Sequence, residues 1–346
     1  MTTNARPQGG GTSPAPPGLP GAPGGLTALR ARPLTPRTGP RPSPAPGGGG
    51  KARHRFRPSV GPALYLLPVV VFLLVWIYLP LLFTGALSFL HWNLTSGSKP
   101  FAGTQNYVRL FTQGDFAAAA RNTALYIAGL LPFATVFPMA MAITLWKHPG
   151  RSSTVYRALI FLPVVLAPVA VAISWQFILA PLQGVLDSVL TWAHLPAPDW
   201  LGSSATALWI VVVITGTKIF ALHVLIYLAA LATVDRGLLD AARLEGASEW
   251  AVTRHVLVPL LSRTIALTSF LCVVFGGQWT FVNVAVLTQG GPLGSTDNVY
   301  YYLYQYGFSF FNTGIASASA VVITVVLALV VIAHHYAARR LVASDQ

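Results

Sequence analysis

The chain has 346 residues, 54% of them hydrophobic and only 9% charged, with a mean hydropathy of +0.61. A soluble domain carries about a quarter charged residues, so a water-soluble protein is excluded and an all-α membrane protein is expected. The lone Cys272 excludes a disulfide framework, and the net charge of +13 does not mark a nucleic-acid binder: residues 1–58 hold nine Lys/Arg and no Asp or Glu, the rest thirteen basic and nine acidic.

Residues 1–58 are rich in Pro, Gly and Arg, with no aromatic residue before Phe56. Such a segment buries too little apolar surface to offset its ordering entropy, so a disordered basic tail is expected, with a transmembrane domain over 59–346. The first apolar run starts near Gly61, too far along and too long for a signal peptide. Arg53, His54, Arg55 and Arg57 stand just before it, as an anchor on the inner face or as a lipid- or partner-binding cluster.

A bilayer-crossing helix takes about 20 apolar residues. Such runs lie at roughly 62–90, 120–146, 155–179, 205–232, 260–287 and 313–336, with a core at about 118–337. Pro163 and Pro168 fall in the third and predict a kink, tolerated where neighbours satisfy the freed carbonyls. Loop charge sets orientation. Lys147, Arg151 and Arg157 lie in one set of loops with Arg236, Arg243, Arg254, Arg339 and Arg340, whereas 180–204 and 288–312 have no Lys or Arg. The positive-inside rule then places both termini in the cytoplasm, together with the loop at 235–259. Trp76, Tyr78, Trp92, Trp200 and the tyrosines from Tyr300 to Tyr306 are expected at the interfaces, as anchors rather than a sugar-stacking platform.

Four of the nine acidic residues, Asp235, Asp240, Glu245 and Glu249, fall in the 235–259 loop. Read as a helix over 238–252, it sets Ala241, Leu244, Ala247 or Ser248, and Ala251 on one face at three- and four-residue spacing. Gly246 costs on the order of 1 kcal/mol against Ala in a helix interior, and serves best where the chain bends or another backbone approaches. Pro259 opens the next span, where its missing N–H is harmless. Two short helices meeting at a small-residue corner would offer apolar knobs and rim carboxylates to a partner's groove. The other reading is an amphipathic connector on the membrane surface, from which anionic headgroups would repel Asp240 and Glu245.

The loop resembles the EAA signature of binding-protein-dependent ABC importer permeases. The matching residues are Asp240, Ala241, Ala242, Glu245, Gly246, Ala247, Val256, Val258 and Pro259. Two acids are exchanged with charge kept, and Thr253 stands where relatives commonly carry an aromatic residue. The resemblance extends over about 58–340 and is nearest to carbohydrate-type permeases. Tyr78, Pro80, Ser88, Trp92, Asn106, Tyr107, Pro163, Pro168, Trp175, Asp199, Trp200, Gly202 and the run from Leu287 to Pro292 follow their order and spacing. It implies six transmembrane helices in the type I ABC importer permease fold, in the cell membrane. It also implies two ABC ATPase subunits docked on the loop, a second permease that is a paralogue, an extracytoplasmic solute-binding protein, and a sugar, oligosaccharide or glycerol-phosphate-like solute.

No ATP-binding signature is present; the nearest run, Gly47 to Ala52, lacks its spacing and its hydroxyl. No cofactor, metal site or nucleophile–base pair is expected, and no enzyme activity. Polar residues at membrane depth are candidates for a solute path. Lys218, in the fourth run, either lines it or tethers two helices. Gln278, Trp279 and Asn283, in the fifth run, offer amides and an aromatic face to a carbohydrate, or else accompany close packing through Gly276 and Gly277. The alternative, an ion-coupled secondary transporter, calls for acidic residues within spans, and none of the six runs contains one.

Overall fold

The computed structural model describes residues 60–95, 97–181 and 183–343; the basic tail at 1–58 lies outside the described residues. Helix α1 (60–87) runs as Val60–Leu73, a π turn at Leu74–Tyr78 and Leu79–Leu87. The π turn answers to Pro80, because a proline clashes with the carbonyl four residues back and cannot donate to it, and widening one turn relieves the conflict. The same device recurs at Thr253–Leu257, just before Pro259.

Helix α2 (Gln105–Thr112) precedes α3 (Asp115–Lys147), which breaks at Thr135, three residues ahead of Pro138. Where the sequence predicts one kinked span over 155–179, the structure has two helices, α4 (Arg151–Val165) and α5 (Pro168–Ile178), bent by 98°. A proline pushes the residue before it out of the helical region. Here both Leu166 (ψ 141°) and Ala167 (ψ 132°) are extended. Helix α6 (Val185–Trp192) leads to α7 (Ala207–Leu231), then α8 (Arg236–Leu244) and α9 (249–260). Helices α10 (Ser262–Thr288), α11 (299–309) and α12 (Thr313–Ala343) complete the chain. Five of the expected spans, α1, α3, α7, α10 and α12, are long and apolar enough to cross a membrane, and the α4–α5 pair is the sixth when taken as one.

Helix α7 is predominantly apolar with no single apolar face, as suits a central helix. It packs against both halves of α3, against α4 and against α10. Where apolar burial from water does not drive helices together, close backbone approach through small residues does. A Cβ on Gly216 of α7 would stand 2.6 Å from the Phe133 ring of α3, and one on Gly129 would stand 2.9 Å from Val212. One core surrounds this seam, with Tyr126, Leu130, Val211 and Ile219 buried in it. A second lies towards α8, where Leu239, Val252 and Leu257 join Ala142 and Tyr227. Helix α1 stands apart, packing on α12 with its apolar side chains largely exposed.

Two members of the tyrosine cluster depart from the interfacial anchoring expected of it. Tyr301 and Tyr302 are buried, and Tyr302 packs on Phe116 and Tyr306 at centroid distances of 5.4 and 4.4 Å. Asn298 turns α11 inward: its side chain accepts from the Tyr300 and Tyr301 N–H groups and donates to the Gly277 carbonyl and Thr280 Oγ1.

The close seam makes Gly216→Ala destabilising despite alanine's better helix propensity, because overpacking costs about 1–3 kcal/mol. A lower melting temperature of the detergent-purified protein is the expected outcome. An unchanged value would show that α3 and α7 are not held this close.

Candidate functional site

Two regions gather the residues singled out by the sequence. The first is the corner between α8 and α9. Asp235 caps α8 by accepting from the Gly237 N–H at 2.9 Å, and Ser248 caps α9 by accepting from the Ala251 N–H. Between them the chain reverses at Gly246, whose φ of +86° is a left-handed conformation natural to glycine. The Gly246 N–H donates to the Arg243 carbonyl and the Ala247 N–H to that of Ala242, the paired bonds of a Schellman C-cap.

This corner divides the face that a single helix over 238–252 would have. Ala241 and Leu244 are exposed, whereas Ala247 and Ala251 are half-buried and Ala247 packs on the second core. The outward apolar knobs are Leu238, Leu244 and Trp250, with Leu244 90% exposed. Asp240 and Glu245 are exposed beside them, and Pro259 is exposed at the end of α9.

Glu249 ties the corner to the bundle. One carboxylate oxygen takes a hydrogen bond from Arg243 Nε at 2.7 Å, and the other from Lys147 Nζ, at the end of α3, at 2.6 Å. Arg243 also pairs with Asp240 at 2.9 Å. Lys147 donates in addition to Thr253 Oγ1 at 2.9 Å, and that hydroxyl donates to the Glu249 carbonyl. The position where an aromatic is common thus carries a hydroxyl inside a polar clasp. Arg243, and next Lys147, hold the Glu249 carboxyl down to about 2. Because this value lies below the ordinary one, the clasp is complete above the usual carboxylate range and is lost only as pH falls through about 2. Sequence reasoning counted Lys147 only as an orienting charge. Its position at the end of a run, opposite an acidic loop, was the available signal.

The second region is a cavity of about 500 Å³ between the α4–α5 break, α7 and α10. Lys218, Gln278, Trp279 and Asn283 all line it, although Lys218 and Asn283 are 65 residues apart in the chain. Lys218 Nζ donates to the Leu166 carbonyl, at the break, at 3.3 Å. Asn283 is 8% exposed and its amide donates to Thr215 Oγ1 at 2.7 Å, a partner that the sequence did not single out. Gln278 is exposed on the wall and takes no hydrogen bond from the described residues. Trp279 stacks on Phe275 at 5.8 Å and packs nearly perpendicular to the buried His223 ring at 6.1 Å. His223 Nδ1 is bonded to the Ile219 carbonyl at 2.7 Å, so the imidazole braces the indole from behind.

Removing the clasp should loosen the corner without unfolding the bundle. Glu249→Gln is expected to raise hydrogen exchange several-fold for the amides of 243–253, and high salt to do so in part, since exposed pairs are screened. Wild-type protection factors should not change between pH 7 and 5. Exchange that is insensitive to Glu249→Gln would mean that the caps alone hold the corner.

Residues 134–343 match the model of the family described as binding-protein-dependent transport system inner membrane component. The probable ABC transporter permease protein YurN of Bacillus subtilis is 29% identical over 265 residues, covering 76% of this chain and 90% of YurN. The trehalose/maltose transport system permease protein MalF of Thermococcus litoralis is 27% identical, over 76% of this chain and 88% of MalF. The sn-glycerol-3-phosphate transport system permease protein UgpA of Yersinia pestis is 27% identical, over 61% and 71%. Among solved structures, a chain of a bacterial alginate ABC transporter, crystallised with an alginate pentasaccharide-bound periplasmic protein, shares the fold. Its TM-score is 0.72 at 22% identity, over 81% of this chain and 94% of that one. The chain therefore belongs to the binding-protein-dependent transport system inner membrane components: it is a multi-pass permease subunit of an ABC importer, and neither an enzyme nor an ion-coupled secondary transporter.

Proposed function

We propose that this permease subunit passes a sugar, oligosaccharide or related polar solute through the cavity between α5, α7 and α10, and takes its driving force at the α8–α9 corner. The observation that carries the reading is the convergence of Lys218, Gln278, Trp279 and Asn283 on one cavity of about 500 Å³. A polyol needs amide groups for its hydroxyls and an aromatic face for its ring carbons, and Gln278 and Trp279 supply one of each. Relatives named for trehalose/maltose and for sn-glycerol-3-phosphate transport support the solute class.

On this reading both termini and the α8–α9 corner face the cytoplasm, where Leu238, Leu244 and Trp250 enter a groove on an ABC ATPase subunit and Asp240 and Glu245 stand at its rim. A solute-binding protein delivers the solute on the opposite side. A second permease, a paralogue, covers the exposed apolar faces that lipid does not. Closure of the ATPases pushes the corner, and the clasp from Glu249 to Lys147 passes that push to α3. The helices then rock around the cavity.

Copurification from membranes tests the corner. Wild type should bring down an ATPase whose activity solute stimulates. Gly246→Asp, which forces a side chain into a left-handed conformation at a cost of about 1–2 kcal/mol and adds a charge to the surface, should lose the ATPase or its stimulation. Absence of an ATPase from both samples would sink the docking role. For the path, Gln278→Ala with Trp279→Ala should lower uptake about tenfold, the loss of one hydrogen bond and one stacking face, while assembly and basal ATPase activity persist. Unchanged uptake would remove these residues from the path.

A further inference from the structure

The cavity holds one fixed charge. Lys218 is the cation, and no Asp or Glu is among the lining residues. It stands near the middle of Ala207–Leu231, at a depth where an uncompensated charge is expensive. Its partner is the Leu166 carbonyl, at 3.3 Å. That distance is long for a charged donor, and an ammonium carries three N–H groups, so this contact leaves donor capacity facing the cavity. The neighbouring polar groups do not neutralise it. The Asn283 amide is committed to Thr215, and Gln278 brings a dipole rather than a charge. A cleft lined by one sign of charge between low-dielectric walls concentrates its field on whatever enters.

We infer that Lys218 makes this cavity selective for an anionic solute: the molecule that pauses there carries a carboxylate, sulfate or phosphate on a hydroxylated frame, as an acidic sugar or a sugar phosphate does. The oxyanion meets Lys218 Nζ, and the hydroxylated frame lies along Gln278 and Trp279. A neutral sugar of the same size would gain nothing from the ammonium. This inference rests on the cavity being the solute path, and the test separates the two.

The test uses the assembled transporter in lipid nanodiscs, with Gln278→Cys as the reporter in the cavity; Cys272 is buried and stays as it is. Two methanethiosulfonate reagents, one bearing a sulfonate and one a trimethylammonium, are compared by their rates of modification, each normalised to a free thiol. The anionic reagent should be the faster. Lys218→Gln should lower the anion-to-cation rate ratio roughly tenfold or more, as expected for one charge acting across several ångströms in a partly hydrated cleft. Lys218→Arg should keep the ratio, and its elution profile shows that the assembly survives change at this position. A ratio near one that Lys218→Gln leaves alone would overturn the anion inference, the charge being neutralised by a carboxylate of the second permease, while the path stands. No modification by either reagent would overturn the path reading and this inference with it.

Discussion

A helix in hydrocarbon has to satisfy its own backbone, and wherever a proline prevents this the freed groups need another partner. That constraint organises the molecule. In α1 and α9 the conflict is absorbed by π turns just ahead of Pro80 and Pro259. At Pro168 it is not absorbed, and the chain breaks by 98° between α4 and α5. The broken segment exposes the Leu166 carbonyl at membrane depth, and Lys218 of α7 reaches across to it. One contact thus satisfies a backbone group, gives the ammonium an acceptor and sets the charge on the cavity wall. Lys218 tethers α7 to the break and also lines the cavity.

The cavity depends in turn on how closely α7 and α3 approach. Gly216 against Phe133 and Gly129 against Val212 bring the helices together on one side, while the α4–α5 break opens space on the other. The floor of the cavity is braced rather than loose. His223 is buried behind Trp279, and Asn283 is held by Thr215. Gln278 alone among the amides is left available. The cavity wall thus carries one free amide, one indole and one ammonium in a mostly apolar lining.

The corner between α8 and α9 solves a different problem, that of holding a short exposed connection in one conformation. Apolar packing of Leu239, Val252 and Leu257 fixes its inner side to the second core. Glu249 fixes the outer side by joining α8 to the end of α3 through Arg243 and Lys147. Each of these exposed pairs is weak singly. Together they remove hinge freedom at a position where Thr253 supplies a hydroxyl in place of an aromatic ring.

The sequence by itself determined the class of protein, the existence of the spans and the corner at Gly246. Each of these is local: apolar length, loop charge and a glycine between two short amphipathic pieces are read along the chain. The EAA-like residues from Asp240 to Pro259 were legible for the same reason. What only the tertiary structure decided was which polar residues meet. That Lys218 answers the Leu166 carbonyl depends on the direction in which two helices part at Pro168, and that Glu249 is shared between Arg243 and Lys147 depends on where α3 ends. The inward burial of Tyr301 and Tyr302, against an interfacial expectation, follows from an Asn298 cap that bonds to α10. Side-chain pairing across tens of residues leaves no periodic trace in a sequence, because it is set by packing between elements rather than by the preferences within them.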